Sequence, residues 1–107
     1  MSTAPKAQVL RLADMAAHQH GAIVSRQVTK ADAGNVTLFA FDAGQELSEH
    51  TAPYDALVHV LDGEAEVTIA GQGFPLRAGD AIILPAGQPH AVKAVSPFKM
   101  LLTMIRA

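Results

Sequence analysis

Between Glu64 and Ala70 polar and apolar residues alternate: Glu64, Glu66 and Thr68 fall on one side, Ala65, Val67 and Ile69 on the other. A two-residue period is that of a strand with one wet face and one buried face. Similar short segments recur at Ile23–Lys30, Val36–Asp42, Ala56–Asp62, Phe74–Arg77, Asp80–Leu84, His90–Val95 and Pro97–Ile105. The joints between them are rich in turn formers: Ala31-Asp32-Ala33-Gly34-Asn35, Ala43-Gly44, Gly71-Gln72-Gly73, Ala78-Gly79 and Pro85-Ala86-Gly87-Gln88-Pro89. Asp62-Gly63 predicts a further tight turn. About eight short strands at regular spacing, with Gly or Pro at most joints, predict a sandwich or barrel. The one candidate for a helical turn is Leu12–His18, before Gly21. No helix-period segment is long enough to cover a sheet, so the sheets must cover each other. The expectation is an all-β, single-domain jelly roll of about eight short antiparallel strands, which also hides most strand edges.

The last strand departs from simple alternation. Met100, Leu102 and Met104 are apolar on one face, and Leu101 and Ile105 on the other. Such a strand is buried on both faces. Either it is a central strand with a loop over its back, or it forms a dimer interface. The second reading is slightly favoured, and a homodimer is expected.

Composition narrows the function. A chain of 107 residues suits one domain, with 1–22 as an N-terminal extension and 23–107 as the barrel. A net charge of −2 and few aromatics (Phe 4, Tyr 1, Trp 0) argue against nucleic acid, which needs a cationic footprint. There is no cysteine, so disulfides and thiolate sites are ruled out and a reducing compartment is favoured. The apolar stretch Val9–Ala17 is interrupted by Arg11 and Asp14, unlike a signal peptide. No apolar run approaches the ~20 residues that span a bilayer. The expectation is a cytoplasmic protein with no membrane partner.

Two stretches stand out by spacing. Gly44 is followed after five residues by His50-Thr51-Ala52, then by Ala56, then after six more by Gly63. Gly79 is followed by Pro85-Ala86-Gly87-Gln88-Pro89-His90, and then Ala94. Together these resemble the paired motifs of the cupin superfamily, and the resemblance covers about Val36 to Ile105. The family's first motif carries a second His where Ala52 stands and a Glu where Ala56 stands. Its second motif ends in Asn where Ala94 stands. The resemblance implies a small single-domain cupin, but the fold hosts many chemistries and does not choose among them.

Positions 50, 52 and 56 differ by even numbers and share one face of an extended segment. His90 follows the Pro-x-Gly turn on another strand and can meet them inside the barrel. The resemblance implies four such side chains holding iron, manganese, zinc, nickel or copper. Only His50 and His90 remain as metal ligands. A full zinc shell is worth ~10–16 kcal/mol, or ~3 kcal/mol per ligand. Losing two removes ~6 kcal/mol, about 10⁴-fold in affinity. The expected cofactor is therefore a weakly held divalent metal, its identity open. Without a carboxylate, both imidazoles also stay available as acid or base near neutral pH.

The expected ligand pocket comprises His50, His90, Tyr54, Ala52, Ala56 and Val58. His59, Glu49 and Asp55 have the wrong parity to join it. His59 is read as an interface or surface residue, and Asp55 as a loop carboxylate capping backbone amides. Glu46 has the right parity but sits back at the barrel mouth, and His18 and His20 read as a solvated turn. Gly63, Gly79 and Gly87 are turn residues. Three functions compete. The favoured one is a module holding a small organic ligand on a few polar anchors in an apolar pocket. The alternative is a metal-dependent dioxygenase or isomerase that completes its shell with water or another side chain. A third is an auxiliary domain whose dimer surface is functional.

Overall fold

The computed structural model describes residues 3–106. Nine strands form it: β1 Ile23–Ala31, β2 Gly34–Phe41, β3 Glu46–His50, β4 Ala56–Asp62, β5 Glu64–Ile69, β6 Gln72–Arg77, β7 Ala81–Leu84, β8 His90–Ala94 and β9 Phe98–Ile105. All ladders are antiparallel, in a five-stranded sheet ordered β1-β2-β9-β4-β7 and a four-stranded sheet ordered β3-β8-β5-β6. The all-β jelly roll expected from the alternation is the fold. The strand beyond the expected count is β3, whose Glu46-Leu47-Ser48-Glu49-His50 has one apolar residue and no alternation to reveal it. Leu12–Asp14 forms a single 3₁₀ turn, and no helix among the described residues is long and apolar enough to cross a membrane.

Alternation sorts the faces as a sandwich requires. On β4, Ala56, Val58 and Val60 are buried while Leu57 and Asp62 are exposed. Val58, Val60, Val67, Phe41, Phe98 and Met100 are fully buried between the sheets, and the Phe41 and Phe98 rings lie 4.6 Å apart. Two turns differ in kind. Ala70 and Gly71 both take positive φ and close β5 onto β6 as a two-residue hairpin, with Ile69 opposite Gln72. The turn thus falls one residue before the Gly71-Gln72-Gly73 segment. Asp62-Gly63 is not a hairpin: it carries the chain from the five-stranded sheet to the four-stranded one. Pro75 lies on β6, an edge strand, where its missing N–H removes no ladder bond.

β9 is a central strand, and its back is covered from within the chain. Leu101 packs with Leu38, Ala40, Leu61, Val24 and Val28 under Met15 and Ala16 of the N-terminal segment. Hydrogen bonds pin that segment: Ala4 N–H to the Val28 carbonyl at 2.9 Å, Lys99 Nζ to the Ala13 carbonyl, and His18 Nε2 to the Phe98 carbonyl at 3.2 Å. On the back face of β9 the chain itself thus covers Leu101, while Ile105 stays 62% exposed. His18 is an anchor between strap and barrel rather than part of a solvated turn. His20 is exposed, 3.8 Å from the Asp42 carboxylate, which itself caps the Gly21 and Ala43 amides.

Candidate functional site

His50 closes β3 and His90 opens β8, directly opposite each other in the ladder. His90 shares its face with Val92 and Ala94, all three buried, so it faces the barrel interior. His50 reaches the same side by an irregular route. Leu47, opposite Val92, packs on the core, and three residues later regular alternation would turn His50 outward. The register shifts between Leu47 and His50, and the irregularity restores the inward direction. The same shift corrects the reading of Glu46. Counting parity from His50 placed it inside, but it lies exposed opposite Lys93, on the wet face of the sheet.

The two rings meet at a centroid separation of 4.4 Å and an angle of 71°. Their Nε2 atoms are 3.1 Å apart. Each Nδ1 faces a carbonyl oxygen: Ser48 at 2.8 Å for His50, and Gln88 at 3.2 Å for His90. A ring nitrogen facing a carbonyl must carry the proton, so we assign Nδ1–H to both. In two neutral rings both Nε2 lone pairs would then confront each other. A proton shared between them, or a cation held by both, would relieve that repulsion. Burial, and next the neighbouring His50 charge, hold His90 below the ordinary histidine range, partly offset by the Gln88 carbonyl. His50 is the exposed ring of the pair, while His90 is 4% exposed.

The same spacing suits a metal. With M–N bonds of ~2.0–2.1 Å, nitrogens 3.1 Å apart subtend about 100° at the ion, the angle of two neighbouring ligands. The donor set is half a shell: no cluster of three or more His, Cys, Asp or Glu side chains occurs among the described residues. His50 and His90 would hold a metal as two neutral ligands, with the remaining positions left to water or a ligand.

The other candidates scatter. Ala52 is half-buried, and its carbonyl accepts the Gly87 N–H at 2.8 Å, tying the two motif loops together. Ala56 and Val58 are buried in the core, Ala56 opposite Leu84 and Met104. Tyr54 lines a separate cavity of about 690 Å³ with Pro53, Asp55, Ala86, Ile105 and Arg106, and neither histidine is in that lining. Asp55 Oδ1 accepts the Ala86 N–H at 2.8 Å, a loop carboxylate capping an amide. Glu49 is exposed, and His59 lies on the outer face of β4, opposite Ala81 and Leu101. Arg106, set 5.5 Å over the Tyr54 ring, escaped the sequence reading because it lies beyond the last strand with no pattern to mark it.

Comparison with known proteins agrees with this architecture. A conserved protein of unknown function from Streptococcus pyogenes is 35% identical, with a TM-score of 0.91 over 100% of this chain and 96% of that one. A cupin superfamily protein from Desulfitobacterium hafniense is 28% identical, with a TM-score of 0.91 over 99% of this chain and 97% of that one. A Cupin 2 conserved barrel domain protein from Leptotrichia buccalis is 40% identical, with a TM-score of 0.87, over 91% of this chain but 47% of its own. The polyketide synthase CurC of Streptomyces cyaneus is 35% identical over 66 residues, 61% of this chain. The match spans 43% of the length of that curated relative. Residues 37–105 match the Cupin domain family, and the chain belongs to it.

Proposed function

We propose that the protein holds a small organic ligand at the barrel's histidine pair, either directly or through a divalent metal that the pair retains only weakly. The observation that carries this reading is the convergence of two Nε2 atoms at 3.1 Å with both Nδ1 atoms occupied by backbone carbonyls. The backbone bonds fix ring orientation, as outer partners of metal-binding histidines do. One ring is exposed and the other buried, so a ligand meets His50 first and His90 behind it. The test is metal analysis of protein purified without affinity resin, followed by competition with a chromophoric chelator. Substoichiometric metal, lost on dialysis, is the expected result. A tight stoichiometric metal would overturn the weak-site reading.

That opposite result would favour the second reading, a metal-dependent dioxygenase or isomerase. Its supporting observation is the same 3.1 Å spacing, which suits two neighbouring ligands and leaves the other positions open to substrate. The absent carboxylate counts against the two-histidine, one-carboxylate oxygenase pattern. We further propose that the protein acts as a cytoplasmic homodimer. The cysteine-free sequence supports the compartment. The dimer is supported by Leu57 and Ile83, which face each other across β4 and β7 and are 37% and 59% exposed.

A further inference from the structure

The cavity beside Tyr54 has the makings of a second site, independent of the histidine pair. Its walls are pinned to one another. The Asp55 carboxylate accepts the Ala86 N–H at 2.8 Å, and the Asp55 carbonyl accepts the Ile105 N–H at 3.3 Å. The Arg106 N–H donates to the Ala33 carbonyl at 2.7 Å, so the guanidinium extends from an anchored backbone. Three separate segments are thereby held in one arrangement before any ligand arrives, which lowers the ordering cost of binding. The volume, about 690 Å³, is within the range of small-molecule pockets.

The lining is chemically two-sided. Pro53, Ala86, Ile105 and the Tyr54 ring offer apolar surface, and Arg106 lies over that ring at 5.5 Å. No carboxylate of a described residue is within ion-pair range of Arg106; the one such pair among them is His20–Asp42. Arg106 lies over the Tyr54 ring with no carboxylate of a described residue in ion-pair range, so its paired N–H donors are available to a ligand carboxylate. Asp55 spends Oδ1 on Ala86, and its other oxygen remains an acceptor at the cavity wall. A guanidinium, a carboxylate acceptor and an apolar patch complement a ligand with a carboxylate, a neighbouring hydrogen-bond donor and a short apolar body.

We propose that this cavity binds small 2-hydroxy or 2-amino carboxylates with an aliphatic side chain, the ligand carboxylate on Arg106 and its hydroxyl or amine on Asp55. Tyr54 is the only tyrosine and there is no tryptophan, so intrinsic emission reports on this cavity alone. The probe is 2-hydroxy-4-methylpentanoate added to the full chain, with Tyr54 fluorescence and the amide resonances of Ala86 and Arg106 followed together. A nine-atom probe is expected to bind weakly, with Kd in the range of about 0.5–10 mM. 4-Methylpentanoate, lacking the hydroxyl, should bind more weakly, and 4-methylpentan-2-ol, lacking the carboxylate, should not saturate. Arg106→Gln should weaken binding about 10-fold or more, as loss of a charged hydrogen-bond partner does. Arg106→Lys should fall between, and Arg77→Gln, a cation on β6 outside this cavity, should match wild type. Absence of saturation, or equal affinity in Arg106→Gln, would overturn the proposal. So would a response confined to the His50 and His90 rings, which would instead favour the barrel reading. A rim response in protein that proves to hold tight metal would leave this site standing while the weak-metal reading fell.

Discussion

At the scale of single residues, His90 carries the clearest pH signature. Its folded-state pKa lies below the ordinary value, chiefly through burial and then through His50. An unfolded histidine binds its proton near pH ~6.5. Below that pH, down to the folded value, the unfolded chain holds more protons, so stability rises with pH and is lost on acidification. Metal-stripped protein should show a falling urea midpoint between pH 7 and 5, and His90→Asn should flatten that slope; an equal slope in both would remove His90 as the cause. The missing ligands make a second prediction. Ala52→His with Ala56→Glu should tighten divalent-metal binding by up to ~10⁴-fold, at ~3 kcal/mol per added ligand. Ala56 is buried opposite Leu84 and Met104, so a glutamate must displace packed atoms. Overpacking of ~1–3 kcal/mol would leave a gain of about 10²–10³-fold, read by chelator competition. No gain at all would show that position 56 does not face the pair.

The elements depend on a few backbone positions. Gly63 has φ +78°, and a Cβ there would run into the Pro97 carbonyl and Phe98. The turn carries the chain between the sheets and lies against the start of β9, so neither neighbour yields easily. Gly63→Ala should cost ~2 kcal/mol or more and lower Tm by roughly 10 °C. Gly21 has φ +66° with open space around it, and Gly21→Ala should cost only the backbone strain, ~1 kcal/mol. Equal thermal shifts in the two variants would remove the steric argument. β3 shows the same principle in the site itself: with one core residue, Leu47, it depends on β8 for its position, and the irregularity after Leu47 turns His50 inward.

At the scale of the whole molecule, the outer face of the five-stranded sheet is divided. The N-terminal strap covers the part around Leu38, Ala40 and Leu101, while Leu57 and Ile83 stay exposed near the β7 edge. If a second copy covers that remainder, Leu57→Glu with Ile83→Glu should shift a dimer to monomer in sedimentation at micromolar concentration. The double variant should keep its strand-dominated far-ultraviolet spectrum, since both side chains already face water. A wild type that sediments only at the monomer mass would end the dimer proposal.

What the sequence determined was what local patterns encode. Alternation marks which residues of a strand share a face, and Gly and Pro mark where strands end. Eight of the nine strands, and the meeting of His50 with His90, were legible on those terms and on motif spacing. Tertiary structure decided the rest, because pairing register and cross-sheet contacts join residues far apart in the chain. Glu46 faces water although parity with His50 placed it inside, since only pairing with β8 exposes the register shift. Leu101 is covered by Met15 and Ala16 from the other end of the chain. Tyr54, a near neighbour of His50 in sequence, instead lies under Arg106, because the end of β9 is held against the β3–β4 loop by the Ile105–Asp55 hydrogen bond.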